Sequence, residues 1–204
     1  MPAIGAIVLA AGSSSRLGRP KQLLPYEGES LIRRTIRAAL GASCSPVVVV
    51  VGYGRERIEE ELAGLEVLIG EHPHWHQGIG SSLRAGLHHL LEHSPDIDAV
   101  LTLVSDQPFV TSSLLSKLIN ARKETGLPVA ACEYAETLGV PALFDSTVFH
   151  VLAGLGDQQG ARTILKTLSK FVAHVPFPEG AIDIDTPADA ARWIGEKLEV
   201  PALA

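Results

Sequence analysis

Cysteine is nearly absent: Cys44 and Cys132 are the only two among 204 residues. Two thiols so far apart in sequence give no disulfide framework, and reduced, buried thiols are the expectation. Aromatic residues make up only 5% of the chain, so the core must be built mainly from Val, Leu, Ile and Ala. The longest apolar runs are strand-sized, too short for a membrane-spanning helix. Positive charge is also short, with 17 Lys and Arg against 23 Asp and Glu and a formal net charge of −6. Without a basic tail or stripe, nucleic acid is not expected as the main partner. A negative total does not exclude a nucleotide, because a pocket's local field can oppose it. Met1-Pro2-Ala3-Ile4 has neither a basic n-region nor a cleavable apolar segment, and a cytoplasmic location is expected. The chain has no internal repeat, low-complexity tract or long linker, and its length suits a single domain over residues 1–204.

Apolar residues are abundant, at 46% of the chain. Strand-like runs occur at 4–11, 46–52, 67–69, 99–105, 128–133, 141–144 and 172–176. Helical patterns occur at 31–40, 56–63, 82–92, 112–125, 146–153, 158–168 and 187–196. Strands alternate with helices through the first two-thirds, which predicts an α/β fold of three layers, with a mostly parallel Rossmann-like sheet between helices. Leu83, Leu87, Leu90 and Leu91 form one apolar helical stripe. Thr186-Pro187-Ala188-Asp189 reads as an N-cap, a proline at N1 and an acid at N3, and Asp157 is placed to cap a helix beginning near Gln158. Ligands of such sheets bind beyond the carboxyl ends of the strands.

The run from Ile4 to Ala11 ends at Gly12-Ser13-Ser14-Ser15, followed by Arg16 and Lys21. Small residues let backbone N–H groups approach a phosphate chain, and two spaced cations neutralise it. Neither a Walker A loop nor a Gly-x-Gly-x-x-Gly fingerprint is present. A second run, Ala99 to Val104, leads into Ser105-Asp106-Gln107-Pro108. Asp106 is a candidate magnesium ligand or a turn-capping residue, and it faces the Gly12 loop if the two strands are neighbours. Asp183 and Asp185 share one face if their segment is extended, which is costly unless a cation or hydrogen bonds offset them. Gly78 and Gly80 precede Ser81 and Ser82, where Ser81 is either an N-cap or part of a helix start open to a base, ribose or phosphate. His72, His74, His76, His89 and His93 have zinc-like spacings, but no Cys or motif acid completes a set. Glu59-Glu60-Glu61 reads as a solvated helix face.

The segment Leu9-Ala10-Ala11-Gly12 to Lys21 resembles the Leu-Ala-Ala-Gly-x-Ser-x-Arg-Met/Leu-Gly-x-x-Lys signature of the MobA-like nucleotidyltransferases. Its Pro-Lys-Gln-Leu-Leu ending is most similar to the molybdenum cofactor cytidylyltransferase branch. Ser105-Asp106-Gln107-Pro108 resembles the family's metal motif, and Asp183 to Asp189 its late Asp-Ile-Asp/Asn-Thr-Pro-x-Asp element. Gln77 to Leu83 resembles Gly-Met-x-x-Ser-Leu, with Ile79 in place of Met. Gly139-Val140-Pro141 resembles an acceptor-side Gly-x-Pro element, with Val140 where many relatives carry His or Asn. Gly156 to Arg162 resembles Gly-Asp-x-Gly-Ala-Arg with one additional residue.

The resemblance implies the nucleotide-diphospho-sugar transferase type of fold and nucleotidyl transfer with Mg²⁺. It implies Lys21, Arg16 and Asp106 as catalytic residues, and Asp106 with Asp185, rather than Asp183, as metal ligands. The nucleotide would be held by Leu9, Ala10, Ala11, Gly12, Ser13, Ser14, Arg16, Lys21, Gly78, Ser81 and Ser82. Gly139, Pro141, Asp157 and Arg162 would face the acceptor. The implied partners are CTP, or GTP in a neighbouring branch, a molybdopterin-type acceptor and a molybdenum hydroxylase apo-enzyme. A non-catalytic pterin-cofactor carrier is the alternative of another class.

Overall fold

The computed structural model describes residues 3–193 and 195. In chain order its regular elements begin with strand β1 (Ile4–Leu9), a small hairpin of β2 (Pro25–Tyr26) and β3 (Glu29–Ser30), and helix α1 (Leu31–Gly41). There follow β4 (Val47–Val51), α2 (Arg55–Glu61), β5 (Leu68–Glu71), α3 (Ile79–His93), β6 (Ala99–Val104) and α4 (Ser112–Thr125). The last third holds β7 (Val129–Tyr134), β8 (Thr137–Asp145), α5 (Phe149–Ala153), α6 (Ala161–Thr167), β9 (Val172–Pro176) and α7 (Pro187–Trp193).

Seven strands form one sheet in the order β5-β4-β1-β6-β8-β7-β9. Only β8 pairs antiparallel with its neighbours. Residues alternate along the buried strands as a period of two requires. Ala6 and Val8 face a layer built from Ile32 and Ile36 of α1, Ile58 of α2 and Leu115 of α4. Ile7 faces the other layer, with Leu83, Leu87 and Leu90 of α3, Leu152 of α5 and Ile164 of α6. Helix α3 lies so close to the sheet that a Cβ on Gly86 would stand 2.5 Å from the Ile7 side chain.

The chain crosses from β1 outward to β4 and β5, then returns to place β6 on the opposite side of β1. Leu9 and Val104 therefore pair at the carboxyl ends of adjacent parallel strands. A sheet whose strand order reverses here opens a crevice beyond those ends. The loops that leave it start at Ala10 and Ser105.

Several boundaries depart from the sequence expectations. The expected strand at 141–144 is longer, Thr137–Asp145, and forms a hairpin with β7. Helix α3 starts at Ile79 rather than near Ser82. The helix expected from Gln158 starts at Ala161, behind a Gly160 N-cap with no side-chain cap. Asp157 does not cap it, because the intervening residues turn back over the start of α3. The helix expected at 187–196 spans Pro187–Trp193 in the structure, and residues 194 and 196 lie outside the described part.

Candidate active site

The loop after β1 is organised from inside by Gln22, which is almost fully buried. Its amide nitrogen donates to the carbonyl of Ala10 at 2.8 Å and of Gly12 at 3.0 Å. The Lys21 N–H donates to Ser14 Oγ at 3.0 Å, and the N–H groups of Leu17 and Gly18 donate to the Ser14 carbonyl. Ser14 itself has φ 53°, the left-handed conformation that lets the loop reverse. Gln22 belongs to the sequence signature, but its role as a buried staple was missed. A polar residue between Lys21 and Leu23 carries no sign of burial in its own spacing.

This loop directs Lys21 to a pair of carboxylates. The Lys21 ammonium bonds to Asp106 Oδ2 and, at 2.8 Å, to Asp185 Oδ1. Arg16 Nη2 donates to Asp185 Oδ2 at 2.6 Å. Burial by itself would lower the Lys21 pKa, but Asp106 and then Asp185 outweigh it and raise it above the ordinary lysine value. Burial works against the Asp185 charge as well, yet Lys21 and Arg16 hold that carboxyl below the usual range. Both shifts favour the charged forms of Lys21 and Asp185.

Asp185 reaches this position through a small apolar core. Ile184 is fully buried against Leu17, Leu24, Leu31 and Ala190, and its N–H donates to the Asp106 carbonyl at 3.0 Å. The expected capping box follows, with Thr186 N donating to Asp189 Oδ2 at 2.9 Å and Asp189 N to Thr186 Oγ1 at 3.2 Å. Asp183 takes no part in the Lys21 and Arg16 pairs. Protein around its carboxyl, and then the charges of Asp106 and Asp185, push its pKa up to about 6.

Asp106 Oδ1 is buried and has no hydrogen-bond partner among the described residues. A carboxylate oxygen left in this state, beside a second carboxylate, fits a divalent cation. Among the described residues no group of three or more His, Cys, Asp or Glu could hold a metal. A cation at Asp106 and Asp185 would therefore complete its shell with substrate oxygens and water, the arrangement Mg²⁺ favours. The histidine spacings form no such centre. His72 is buried, with Nε2 2.9 Å from Ser81 Oγ, and burial followed by the neighbouring His74 lowers its pKa.

A cleft of about 330 Å³ opens beside these residues. Leu9, Ala11, Gly12 and Ser13 line it from the loop, and Lys21 and Asp106 from its charged end. Gly78, Ile79 and Ser82 line the facing wall. Ala10 lies beneath the loop with its carbonyl on Gln22. Ser81 is buried, bonds to the Gly78 carbonyl at 2.7 Å and faces His72, and it is not among the residues that line the cleft. The N–H groups of Gly80 and Ser81 are not open to a ligand, because the Asp157 carbonyl accepts them at 2.8 and 3.3 Å. Only a glycine fits at position 80, where a Cβ would stand 2.1 Å from the Gly156 carbonyl.

A smaller neighbouring cleft of about 130 Å³ is lined by Gly139, Val140, Tyr134, Gly160 and Arg162. It shares Leu9, Ile79 and Val104 with the larger one. Tyr134 was not singled out from the sequence; its hydroxyl donates to the Val140 carbonyl at 3.0 Å, and burial raises its pKa. Pro141 is buried in β8 and does not line this cleft. The Asp157 carboxylate pairs with Arg84, and its carbonyl closes the start of α3.

A family model described as the MobA-like NTP transferase domain matches residues 6–173. Nicotine blue oxidoreductase of Paenarthrobacter nicotinovorans is 27% identical over 81% of this chain and 83% of that protein. Purine catabolism protein PucB of Bacillus subtilis (strain 168) is 30% identical, covering 92% of this chain and 94% of PucB. Molybdenum cofactor cytidylyltransferase of Escherichia coli (strain K12) is 27% identical, covering 93% and 94%. Among solved structures, Rv0371c from Mycobacterium tuberculosis H37Rv is 27% identical with a TM-score of 0.78, covering 96% of this chain and 99% of that chain. The same protein has also been solved in complex with manganese. The fold is that of the nucleotide-diphospho-sugar transferases.

Proposed function

Because this chain belongs to the MobA-like NTP transferase family and is a nucleotidyltransferase, we propose that it transfers CMP from CTP to the phosphate of a molybdopterin-type cofactor. Pyrophosphate is the second product, and residues 1–204 act as a single catalytic domain in the cytoplasm. The observation that carries the reading is the Arg16–Asp185–Lys21–Asp106 cluster at the mouth of the nucleotide-sized cleft. The similarity to a molybdenum cofactor cytidylyltransferase supports the choice of CTP and of acceptor.

An oxygen of the acceptor phosphate attacks the α-phosphorus, and the bond to the β-phosphate's bridging oxygen breaks. Such chemistry depends on positioning and charge stabilisation. Lys21 and Arg16 neutralise Asp106 and Asp185 in the free protein. On nucleotide binding both cations would turn to phosphate oxygens, Lys21 at the α-phosphate and Arg16 with the loop at the β- and γ-phosphates. Asp106 and Asp185 would then hold Mg²⁺, which orients phosphates and stabilises a leaving pyrophosphate. The backbone at Leu9 to Gly12, with Gly78 and Ser82, would hold base and ribose. Gly139 and Arg162 would face the acceptor.

Thermal unfolding with CTP, GTP, ATP and UTP, with and without Mg²⁺, tests this. A ligand at about 100 times its dissociation constant adds roughly 2.7 kcal/mol of stability. A magnesium-dependent shift with CTP alone, followed by CTP-dependent pyrophosphate release on adding the acceptor, is the expected result. A preference for GTP moves the reading to the guanylyl branch. The similarity to a protein named an oxidoreductase favours one further control. Stabilisation by no nucleotide, with no pyrophosphate released, overturns the proposal in favour of a carrier or a redox role.

A further inference from the structure

Tyr134 is buried at the end of β7, beside an irregularity in the neighbouring strand. Ala131 pairs with Ala142 and Cys132 with Gly139, so Val140 and Pro141 have no partner on β7. Such an irregularity re-aims the groups beside it. The Val140 carbonyl accepts instead from the Tyr134 hydroxyl at 3.0 Å. The phenol fills room that two glycines leave. A Cβ at Gly139 would stand 2.1 Å from the hydroxyl oxygen, and one at Gly180 would stand 2.5 Å from the ring. Neither glycine has a positive φ, so the tyrosine, not the backbone, accounts for their missing side chains.

A hydroxyl donates once and accepts twice. With its proton on Val140, the Tyr134 oxygen faces Gln107 Nε2 at 3.5 Å and the Arg162 side chain. Gln107 directly follows Asp106 and is buried, and the same Nε2 donates to the Gly180 carbonyl at 3.1 Å. Gly180 lies in the turn that leads towards Asp183, Ile184 and Asp185. Burial raises the phenol's pKa, so the group offered to the guanidinium is a neutral hydroxyl. One side chain thus joins β8, the first turn of α6, the Asp106 loop and the segment that carries Asp185. It also lines the 130 Å³ cleft, which shares Leu9, Ile79 and Val104 with the 330 Å³ inner cleft. Arg162 is the one cation among the described residues that line the smaller cleft.

We propose that Tyr134 is a positioning residue for the acceptor: anchored itself to Val140 and Gln107, its hydroxyl fixes the Arg162 guanidinium so that an acceptor phosphate is held beside the nucleotide cleft. The inference rests on the nucleotidyl-transfer reading and names the residue that orders its acceptor side. An arginine on a free stem gives up rotamer freedom when it binds a phosphate, and one already tethered gives up less. The tether therefore favours the acceptor. It leaves the nucleotide unaffected, because Tyr134 does not line the inner cleft.

Calorimetric titration of CTP with Mg²⁺, and of a molybdopterin-type cofactor, into the wild type, Tyr134→Phe, Arg162→Gln and the double variant tests it, beside steady-state turnover. Phe keeps the ring between Gly139 and Gly180, and circular dichroism verifies folding. Tyr134→Phe should weaken the cofactor roughly three- to tenfold and raise its KM to match, with kcat and CTP affinity within about twofold of the wild type. The double variant should lose no more than Arg162→Gln alone, because the hydroxyl acts through that guanidinium. Equal weakening of CTP and cofactor, weakening of neither, or losses that add overturn the proposal and leave the nucleotidyl-transfer reading in place. Cofactor binding that depends on Tyr134 in a protein that binds no nucleotide keeps the positioning role and overturns that reading. A wild type that binds CTP but not the cofactor overturns the proposal together with the choice of acceptor, and one that binds neither overturns both readings.

Discussion

Lys21 and Asp185 lie 164 residues apart in sequence, and their charged groups meet at 2.8 Å. The contact holds the ammonium at the mouth of the inner cleft, with Asp106 on its other side. It also means that nucleotide binding must exchange one set of ion pairs for another.

Lys21→Ala should therefore lower turnover more than it lowers CTP affinity. An ammonium at the α-phosphate acts where negative charge grows in the transition state, so its loss falls on kcat. Steady-state kinetics beside direct CTP titration separates the two. A loss confined to affinity would remove Lys21 from a selective role in the transition state.

Asp106→Asn keeps the shape of the side chain and removes its charge. Turnover should fall roughly 10²-fold or more, through several kcal/mol of lost transition-state stabilisation. The measurement is single-turnover pyrophosphate release at saturating Mg²⁺, with circular dichroism to verify folding. Near-normal turnover in a folded variant rules out the metal assignment.

Gln22→Ala leaves the carbonyls of Ala10 and Gly12 without their donor. Unfolding in urea should show a loss of about 1–3 kcal/mol for these unsatisfied groups. CTP should bind more weakly as well, since the loop's backbone loses its internal support. Unchanged stability together with unchanged CTP affinity would show that the loop holds itself.

Asp145 ties the start of the segment before α5 to α4. Its carboxylate accepts from Thr147 N at 2.9 Å and Thr147 Oγ1 at 2.8 Å, and it pairs with Arg122. Burial opposes the charge, but the Thr147 donors and Arg122 outweigh it and hold the pKa below the ordinary 3.8. A depressed carboxylate stabilises the fold above its unfolded pKa and loses that contribution as the pH falls through its folded value. Asp145→Asn should cost about 1–3 kcal/mol near pH 7, with the Asn still able to accept from Thr147. The difference from the wild type should shrink below about pH 4. A pH-independent difference in urea midpoints would assign the effect to packing alone.

Element types were legible wherever the hydrophobic period was long. The stripe of Leu83, Leu87 and Leu90 and the runs 4–9 and 99–104 state their own geometry, and in the structure all three elements are present. The antiparallel β8 was only half legible, because Gly139 and Pro141 interrupt the strand pattern before the apolar run. The 155–160 segment was misread for a related reason. Asp157 has the chemistry of a helix cap, but its carbonyl is occupied by α3 and its carboxylate by Arg84, partners more than seventy positions away.

The sequence by itself determined the alternation of strands and helices, the loop of small residues with its two cations, and the acids available to answer them. Local pattern suffices for these, since side-chain period and turn chemistry act over a few residues. Only the tertiary structure decided which groups meet. The reversal of strand order beside β1 brought Asp106 to the Gly12 loop. The small core around Ile184 carried Asp185 onto Lys21 and left Asp183 outside the ion pairs. The fold also turned Ser81 inward and buried Gln22 under the loop. Burial and charge pairing are properties of neighbours in space, and chain connectivity alone does not name them.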